Sequence, residues 1–348
     1  MKYLVAKFRI VILILFFFSS LLPVNGQKKL SRPAFKIAFG SCLDQNLEIK
    51  IWKSILNKGP NIWIWLGDNI YKDTVDMKEK QSAYEIQKTN LDYQELKKKT
   101  KVLGVWDDHD FGYNDVGEEY PMKKESKDLF LDFLDIPPNA ELRKHEGTYS
   151  VENIIHEGMK IKMILLDTRS FRTPLISKMN ELGIKEYVAN DEKTATILGE
   201  SQWNWLEKQL KDKAEVYIIV SSIQVLNDSH RFEKWGNFPL EREKLLSMID
   251  QHTSGNAMIL SGDRHIAEIF QEKLKSGKTI LDITSSSLNK PIPNRVQDDT
   301  DPRRISSVYA KENFGWIEIS KKKKGFNVEI SIQGIDEVAF HTKMKTKK

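Results

Sequence analysis

Seven short apolar runs recur along the chain: "FKIAF" (35–39), "NIWIWL" (61–66), "VLGVW" (102–106), "IKMILLD" (161–167), "VYIIVS" (216–221), "AMILS" (257–261) and "TILDITS" (279–285). Their length and continuous hydrophobicity predict mostly buried strands. Helical spacing appears between them. Leu47, Ile51 and Ile55 share one face, and "ESQWNWLEKQLKD" sets Trp203, Leu206 and Leu210 on another. "PLEREKLLSMID" opens with Pro239, which a first helical turn accepts. Strands alternating with helices predict an α/β layered core. Near the end, "GWIEIS" and "GFNVEISIQ" alternate apolar and polar residues on either side of "KKKKG", which predicts a closing hairpin.

The polar residues fall at the ends of these runs. "FGSC" closes the first, "LGDNIY" the second, "WDDHD" the third, "LDTR" the fourth, "VSSIQ" the fifth and "LSGDRH" the sixth. A polar residue after one strand is ordinarily a turn. Six such ends argue for one shared site, because ligands of α/β sheets bind where the carboxyl ends of the strands converge.

Composition narrows the classes. Lys2, Lys7 and Arg9 precede the apolar stretch Ile10–Leu22, and "PVNG" precedes Gln27, so residues 1–26 read as an export signal. The stretch is shorter than the roughly 18 to 20 residues of a spanning helix, so no stable membrane span is expected once the signal is cleaved. The protein is then exported: periplasmic, extracellular or at the cell surface. Without Lys2, Lys7 and Arg9, 51 basic residues face 49 acidic ones, and "HTKMKTKK" (341–348) holds four of the bases. The body is nearly neutral, with no basic stripe of the kind nucleic acid requires. We therefore expect one domain over residues 27–340 and a solvated basic tail over 341–348. The oligomeric state is not legible.

The chemistry concentrates in three places. Asp68 follows Gly67 at a turn, with Tyr71 three residues on. In "WDDHD", Asp107, Asp108 and Asp110 crowd around His109; such crowding is tolerated by solvation, by proton sharing or by a cation. In "LSGDRH", Asp263 and His265 are two apart and, if extended, face the same side. The single cysteine, Cys42, has no disulfide partner and reads as a core thiol, a metal ligand or an intermolecular bridge. Pooled, Cys42, Asp68, Tyr71, Asp108, Asp263 and His265 form an O, N and S set large enough for two metal ions sharing a carboxylate, with His109 beside them.

The ordered set "FGSC", "GDNIY", "WDDHD" and "SGDRH" resembles the PhoD-like (alkaline phosphatase D) branch of the calcineurin-like metallophosphoesterases. "LDTRSFR", "LGESQWNWLEKQL" and "WGNFPLERE" follow in the expected order, and the resemblance spans about residues 35 to 320. It implies a sandwich of two central mixed β-sheets flanked by helices (α/β/β/α). By the same resemblance Asp68 is the metal-bridging Asp, and Cys42 stands where an Asp-containing turn opens the wider signature. Tyr71 matches the tyrosine of iron-containing relatives. Asp108 and His109 occupy the Asn and His of the Gly-Asn-His motif. Asp263 and His265 match a pair of histidines, the first replaced by Asp. The histidine of the fifth motif has no counterpart, since "VSSIQ" offers only Ser222 or Gln224.

Thiolate, phenolate and imidazole ligands suit Fe(III) or zinc, and an oxygen-rich pocket suits Ca²⁺. The resemblance likewise implies a binuclear or multinuclear Fe(III) and Ca²⁺ centre; Zn and Mn remain open. The expected function is hydrolysis of a small phosphoester substrate, a mono- or diester, by a metal-bound hydroxide. His109 would orient the phosphate and assist the leaving group. Arg169 in "LDTR" is either a phosphate clamp or a salt bridge at a strand end. The alternatives are a phospholipase-type or nucleotide phosphodiesterase on the same centre, or an inactive metal-stabilised binding protein.

Overall fold

In the computed structural model, which describes residues 33–254, 256–298 and 300–344, each of the seven apolar runs is a strand. The first sheet starts with β1 (Phe35–Gly40), crosses through α1 (Ile51–Lys58) to β2 (Ile62–Leu66), and through α2 (Met77–Lys88) and α3 (Leu91–Lys99) to β3 (Lys101–Val105). A one-turn helix α4 (Asp108–Phe111) and α5 (Lys123–Phe133) follow. The second sheet opens with β4 (Ser150–His156) and β5 (Met159–Leu165). A separate hairpin, β6 (Ile176–Met179) and β7 (Lys185–Val188), precedes α6 (Gly199–Lys211), β8 (Val216–Val220) and α7 (Pro239–His252). β9 (Ala257–Ser261), β10 (Ala267–Lys273) and β11 (Thr279–Ser285) complete that sheet. β12 (Phe314–Lys321), β13 (Phe326–Gln333) and β14 (Val338–Met344) then return to the first sheet.

The sheets run β14-β13-β12-β1-β2-β3 and β10-β11-β9-β8-β5-β4. In the first, β1, β2 and β3 are parallel; in the second, β11, β9, β8 and β5 are. The remaining strands pair antiparallel, so both sheets are mixed.

The apolar runs are continuous because each has two dry faces. In β2, Ile62, Ile64 and Leu66 enter the core between the sheets, while Trp63 and Trp65 point the other way, toward α1 and α3. In β8, Val216, Ile218 and Val220 join the inter-sheet core, and Tyr217 and Ile219 pack under α6 and α7. Three apolar layers therefore separate helices, sheet, sheet and helices, which is the α/β/β/α order. Trp203, Leu206 and Leu210 are buried on α6 as their spacing requires, and Pro239 occupies the first turn of α7.

Some expectations shift. Leu47 is exposed ahead of α1, whose buried face is Ile51, Trp52 and Ile55. β4, β10 and β14 were not legible: each lies at or next to a sheet edge, with an interrupted apolar pattern. β14 also corrects the tail, because its ladder with β13 extends through His341 to Met344. Residues 1–26, read as an export signal, lie outside the described residues. The described residues form one compact unit. No helix among them is long and apolar enough to cross a membrane.

Candidate metal centre

Parallel strands put their carboxyl ends on one edge, and here two sheets do so side by side. β1, β2 and β3 deliver Cys42, Asp68 and Asp108, while β5, β8 and β9 deliver Arg169, Ser222 and Asp263. The two edges are joined at the site, where Ser41 bridges Ser286 just beyond β1 and β11. Close approach explains two glycines. A Cβ on Gly262 would lie 2.6 Å from Ser41 Oγ and 2.7 Å from the Leu66 carbonyl oxygen; one on Gly67 would lie 2.5 Å from Asp107 Cβ. The backbone turns sharply here. Seven non-glycine residues among those described have left-handed φ, and Cys42, Asp68, Asp115, Asp263 and His265 are five of them. Side chains rarely adopt that region without a compensating reason, and such strain clusters at functional sites.

One group of donors gathers Cys42, Asp68 and His265, whose candidate ligand atoms lie within 4.8 Å of one another. Cys42 Sγ sits 3.3 Å from Asp68 Oδ2 and 3.0 Å from Ser286 Oγ. The Tyr71 hydroxyl donates to Asp68 Oδ2 at 3.0 Å and lies 3.1 Å from His265 Nε2. His265 Nδ1 donates to the Lys290 carbonyl oxygen, which turns Nε2 toward the group. Burial, with Arg295 nearby, pushes His265 down to about 4, so the imidazole is neutral and its lone pair available. Burial raises the Cys42 thiol.

The second group shares Asp68 with Asp108 and His109, again within 4.8 Å. Asp108 accepts the amides of His109 (2.9 Å) and Asp115 (2.7 Å). Although burial opposes its charge, His109 and Arg169 hold its carboxyl below the usual range. His109 Nδ1 bonds Asp73 Oδ1 at 2.6 Å, and Asp73 Oδ2 accepts the Asn114 amide at 3.1 Å. Burial also opposes charge on His109, but Asp108, Asp68 and Asp73 raise it to about 11.

The other carboxyls show what is missing from the protein alone. Burial, reinforced by neighbouring negative charge, raises Asp68 and Asp115, the latter to about 7, and burial raises Asp263 against the opposing charge of Arg295. Asp68 Oδ1 is buried and has no hydrogen-bond partner among the described residues. An orphaned carboxylate oxygen between a thiol, a phenol, an imidazole and a second carboxylate fits a cation. The donor set therefore suits a metal pair around Asp68. Asp263 lies outside both close groups; it is partly exposed, and its backbone carbonyl accepts Arg295 Nη1 at 3.0 Å.

The flanking acids of "WDDHD" divide their work. Asp107 is fully buried and accepts Arg169 Nε (2.6 Å) and Ser222 Oγ (2.8 Å). Asp110 accepts the Asn69 amide, the Asp107 amide at 3.0 Å and the Tyr84 hydroxyl at 3.2 Å, tying the β2 loop to the β3 loop. Neither orients His109; Asp73 does, and its distance in sequence hid it. Arg169 is also fully buried. Its guanidinium is taken by Asp107 and by Glu233 (2.6 Å), and Arg172 pairs with the same Glu233 at 2.9 Å. The fork is thus engaged in a buried ion cluster rather than open to a phosphate. Gln224 turns away, donating to Glu268 and Thr284. Sequence reasoning also missed Lys80, whose buried ammonium donates to the carbonyls of Lys72, His109 and Asp110 beneath this turn.

Two mixed sheets face to face, with helices outside and an acid, thiol and imidazole cluster where their strand ends meet, define a phosphoesterase-type sandwich. The chain belongs to the PhoD-like phosphatase family, whose profile matches residues 37–331. Membership implies a hydrolase acting on a phosphoester. The solved structure of PhoD is similar in fold, with a TM-score of 0.67 at 13% identity, covering 91% of this chain and 73% of that one. No curated protein matches the chain in sequence.

Proposed function

We propose that this chain is an exported, metal-dependent phosphoesterase that hydrolyses phosphate mono- or diesters at the cluster centred on Asp68. The observation that carries the reading is the pair of ligand groups meeting at Asp68, whose Oδ1 is buried without a partner. Cys42, Tyr71 and His265 would hold one ion and Asp108 another, with Asp68 shared between them and Asp263, outside both close groups, an additional donor to the second only if its side chain turns in; iron with calcium suits these donors. When bound, the metals supply Lewis acidity, acidifying water and neutralising phosphoryl charge. His109 is fixed by Asp73 at 2.6 Å, so its other ring nitrogen can bond a phosphoryl oxygen or, when protonated, donate to the departing alcohol. The charge pattern of residues 1–26 supports export.

The test is turnover of phosphomonoesters, diesters and phospholipids with iron and Ca²⁺ supplied, before and after chelation with metal analysis. Activity should disappear with the bound metal and return on reloading. Full activity in metal-free protein would overturn the reading.

A further inference from the structure

Beside Asp263, the loop after β8 and the segment after β11 bring together a second set of donors. The ring of Phe232 has three guanidiniums around it: Arg295 at 4.4 Å, Arg264 at 4.8 Å and Arg231 at 4.8 Å from the centroid. His230 lies 6.1 Å from the same ring, centroid to centroid. Its Nδ1 accepts the Phe232 amide at 3.2 Å, which leaves the proton on Nε2. That Nε2 is buried and has no hydrogen-bond partner among the described residues. Burial, together with Arg264, Lys234 and Arg295, holds His230 well below its ordinary value, so the imidazole is a neutral donor. The Arg295 guanidinium makes one hydrogen bond among the described residues, Nη1 to the Asp263 carbonyl oxygen at 3.0 Å.

Like charges gather at one ring only when something offsets their repulsion. The π face of Phe232 supplies part of it, and the Asp263 carboxyl, whose charge Arg295 and Arg264 favour, supplies another part. A buried N–H that meets no acceptor is costly and rare, and calls for an acceptor that arrives from outside. The geometry points to a second anion subsite: we propose that His230, Phe232 and Arg295, with the added charge of Arg264, bind a second phosphate group carried by the substrate. Lys234 secures the loop by donating to the His230 and Phe232 carbonyls at 2.7 and 3.2 Å. Arg231, Phe232 and Arg295 are partly exposed and form the entry, while His230 is the buried wall. Because Arg295 bonds the backbone of Asp263, on the same turn as His265, the subsite borders the loop that carries His265 into the first donor group, and a three-carbon linker between the two phosphates is the length to test.

This inference rests on the phosphoesterase reading, and its test separates the two. The metal-loaded protein is assayed on propyl phosphate and on propane-1,3-diol bisphosphate. The wild-type kcat/KM ratio should favour the bisphosphate by roughly tenfold or more, the scale of one good charge-assisted contact. His230→Asn and Arg295→Gln should bring the ratio close to one, whatever happens to either absolute rate. A ratio near one in the wild type, or one unchanged in both folded variants, overturns the subsite. If neither ester is turned over, the phosphoesterase reading fails and binding decides the subsite alone. Methylene bisphosphonate should then bind the two variants about tenfold more weakly by calorimetry; equal affinity in all three proteins overturns it.

Discussion

Replacing Asp73 by Asn tests whether His109 works as a positioned group. Asp73 Oδ1 meets His109 Nδ1 at 2.6 Å, while Oδ2 takes the Asn114 amide at 3.1 Å. Asn keeps the shape and one acceptor but loses the charge. A hydrogen bond to a charged group contributes about 1.5–3 kcal/mol. The Asp73 side chain is 36% exposed, which places this one at the weak end. At about 1.4 kcal/mol per tenfold, D73N should lower kcat by roughly tenfold. His109→Ala removes the group itself and should cost about a hundredfold or more. The decisive experiment is the double-variant cycle, with kcat measured on a chromogenic monoester at saturating metal and melting curves checking the fold. If Asp73 acts through His109, D73N should cost almost nothing once His109 is gone. The reasoning is refuted if D73N costs as much in the His109→Ala background as in the wild type.

Cys42→Ser should weaken metal affinity by at least about tenfold, the scale lost when even an outer partner of a ligand is removed; equal metal loading at limiting metal would return Cys42 to the core. Arg169→Gln leaves Asp107 and Glu233 short of a buried cation and should destabilise the fold by about 3–5 kcal/mol in urea unfolding. A phosphate clamp would instead show a raised KM with unchanged stability. Burial lowers Lys80 from 10.5 to about 8. Between those values the unfolded chain binds the proton more tightly, so this residue makes stability rise with pH from about 8 to about 10.5, by about 3 kcal/mol at most. Lys80→Met should flatten that part of the stability-versus-pH curve, and identical slopes in the two proteins would refute it.

The layers were legible because burial on two faces leaves a local mark. "IWIWL" cannot be a strand with a wet face, and the chain has no other way to cover five consecutive apolar side chains at strand length. The clustering of the candidate residues was legible for a related reason: parallel strands must end on one edge, so polar ends share a neighbourhood whichever strand they leave. What local pattern cannot carry is which side chain each polar group meets. Asp73 reaches His109 across 36 residues, and Glu233 reaches Arg169 across 64. These partners look like ordinary loop acids until the fold closes. Arg169 shows the limit well, since a guanidinium after a strand has the same sequence signature whether it grips a substrate or a buried carboxylate.

The buried ion cluster and the ligand cluster also explain one another. Asp107, Asp108 and Asp110 are consecutive or nearly so, yet each has a different counterweight: Arg169 and Ser222 for the first, the Asp115 and His109 amides for the second, Asn69 and Tyr84 for the third. Holding Asp107 through Oδ1 and Asp110 through both oxygens ties down the turn between them, with Asp108 and His109 set beside Asp68, although Asp107 Oδ2 is itself buried without a hydrogen-bond partner among the described residues. A turn held at both ends in this way keeps its middle residues in place even where φ is strained at Cys42, Asp68 and His265 around it. The strain and the repulsion are borne by the hydrogen-bonded frame around them, which is the condition the proposed cation site needs for its donors to be preorganised.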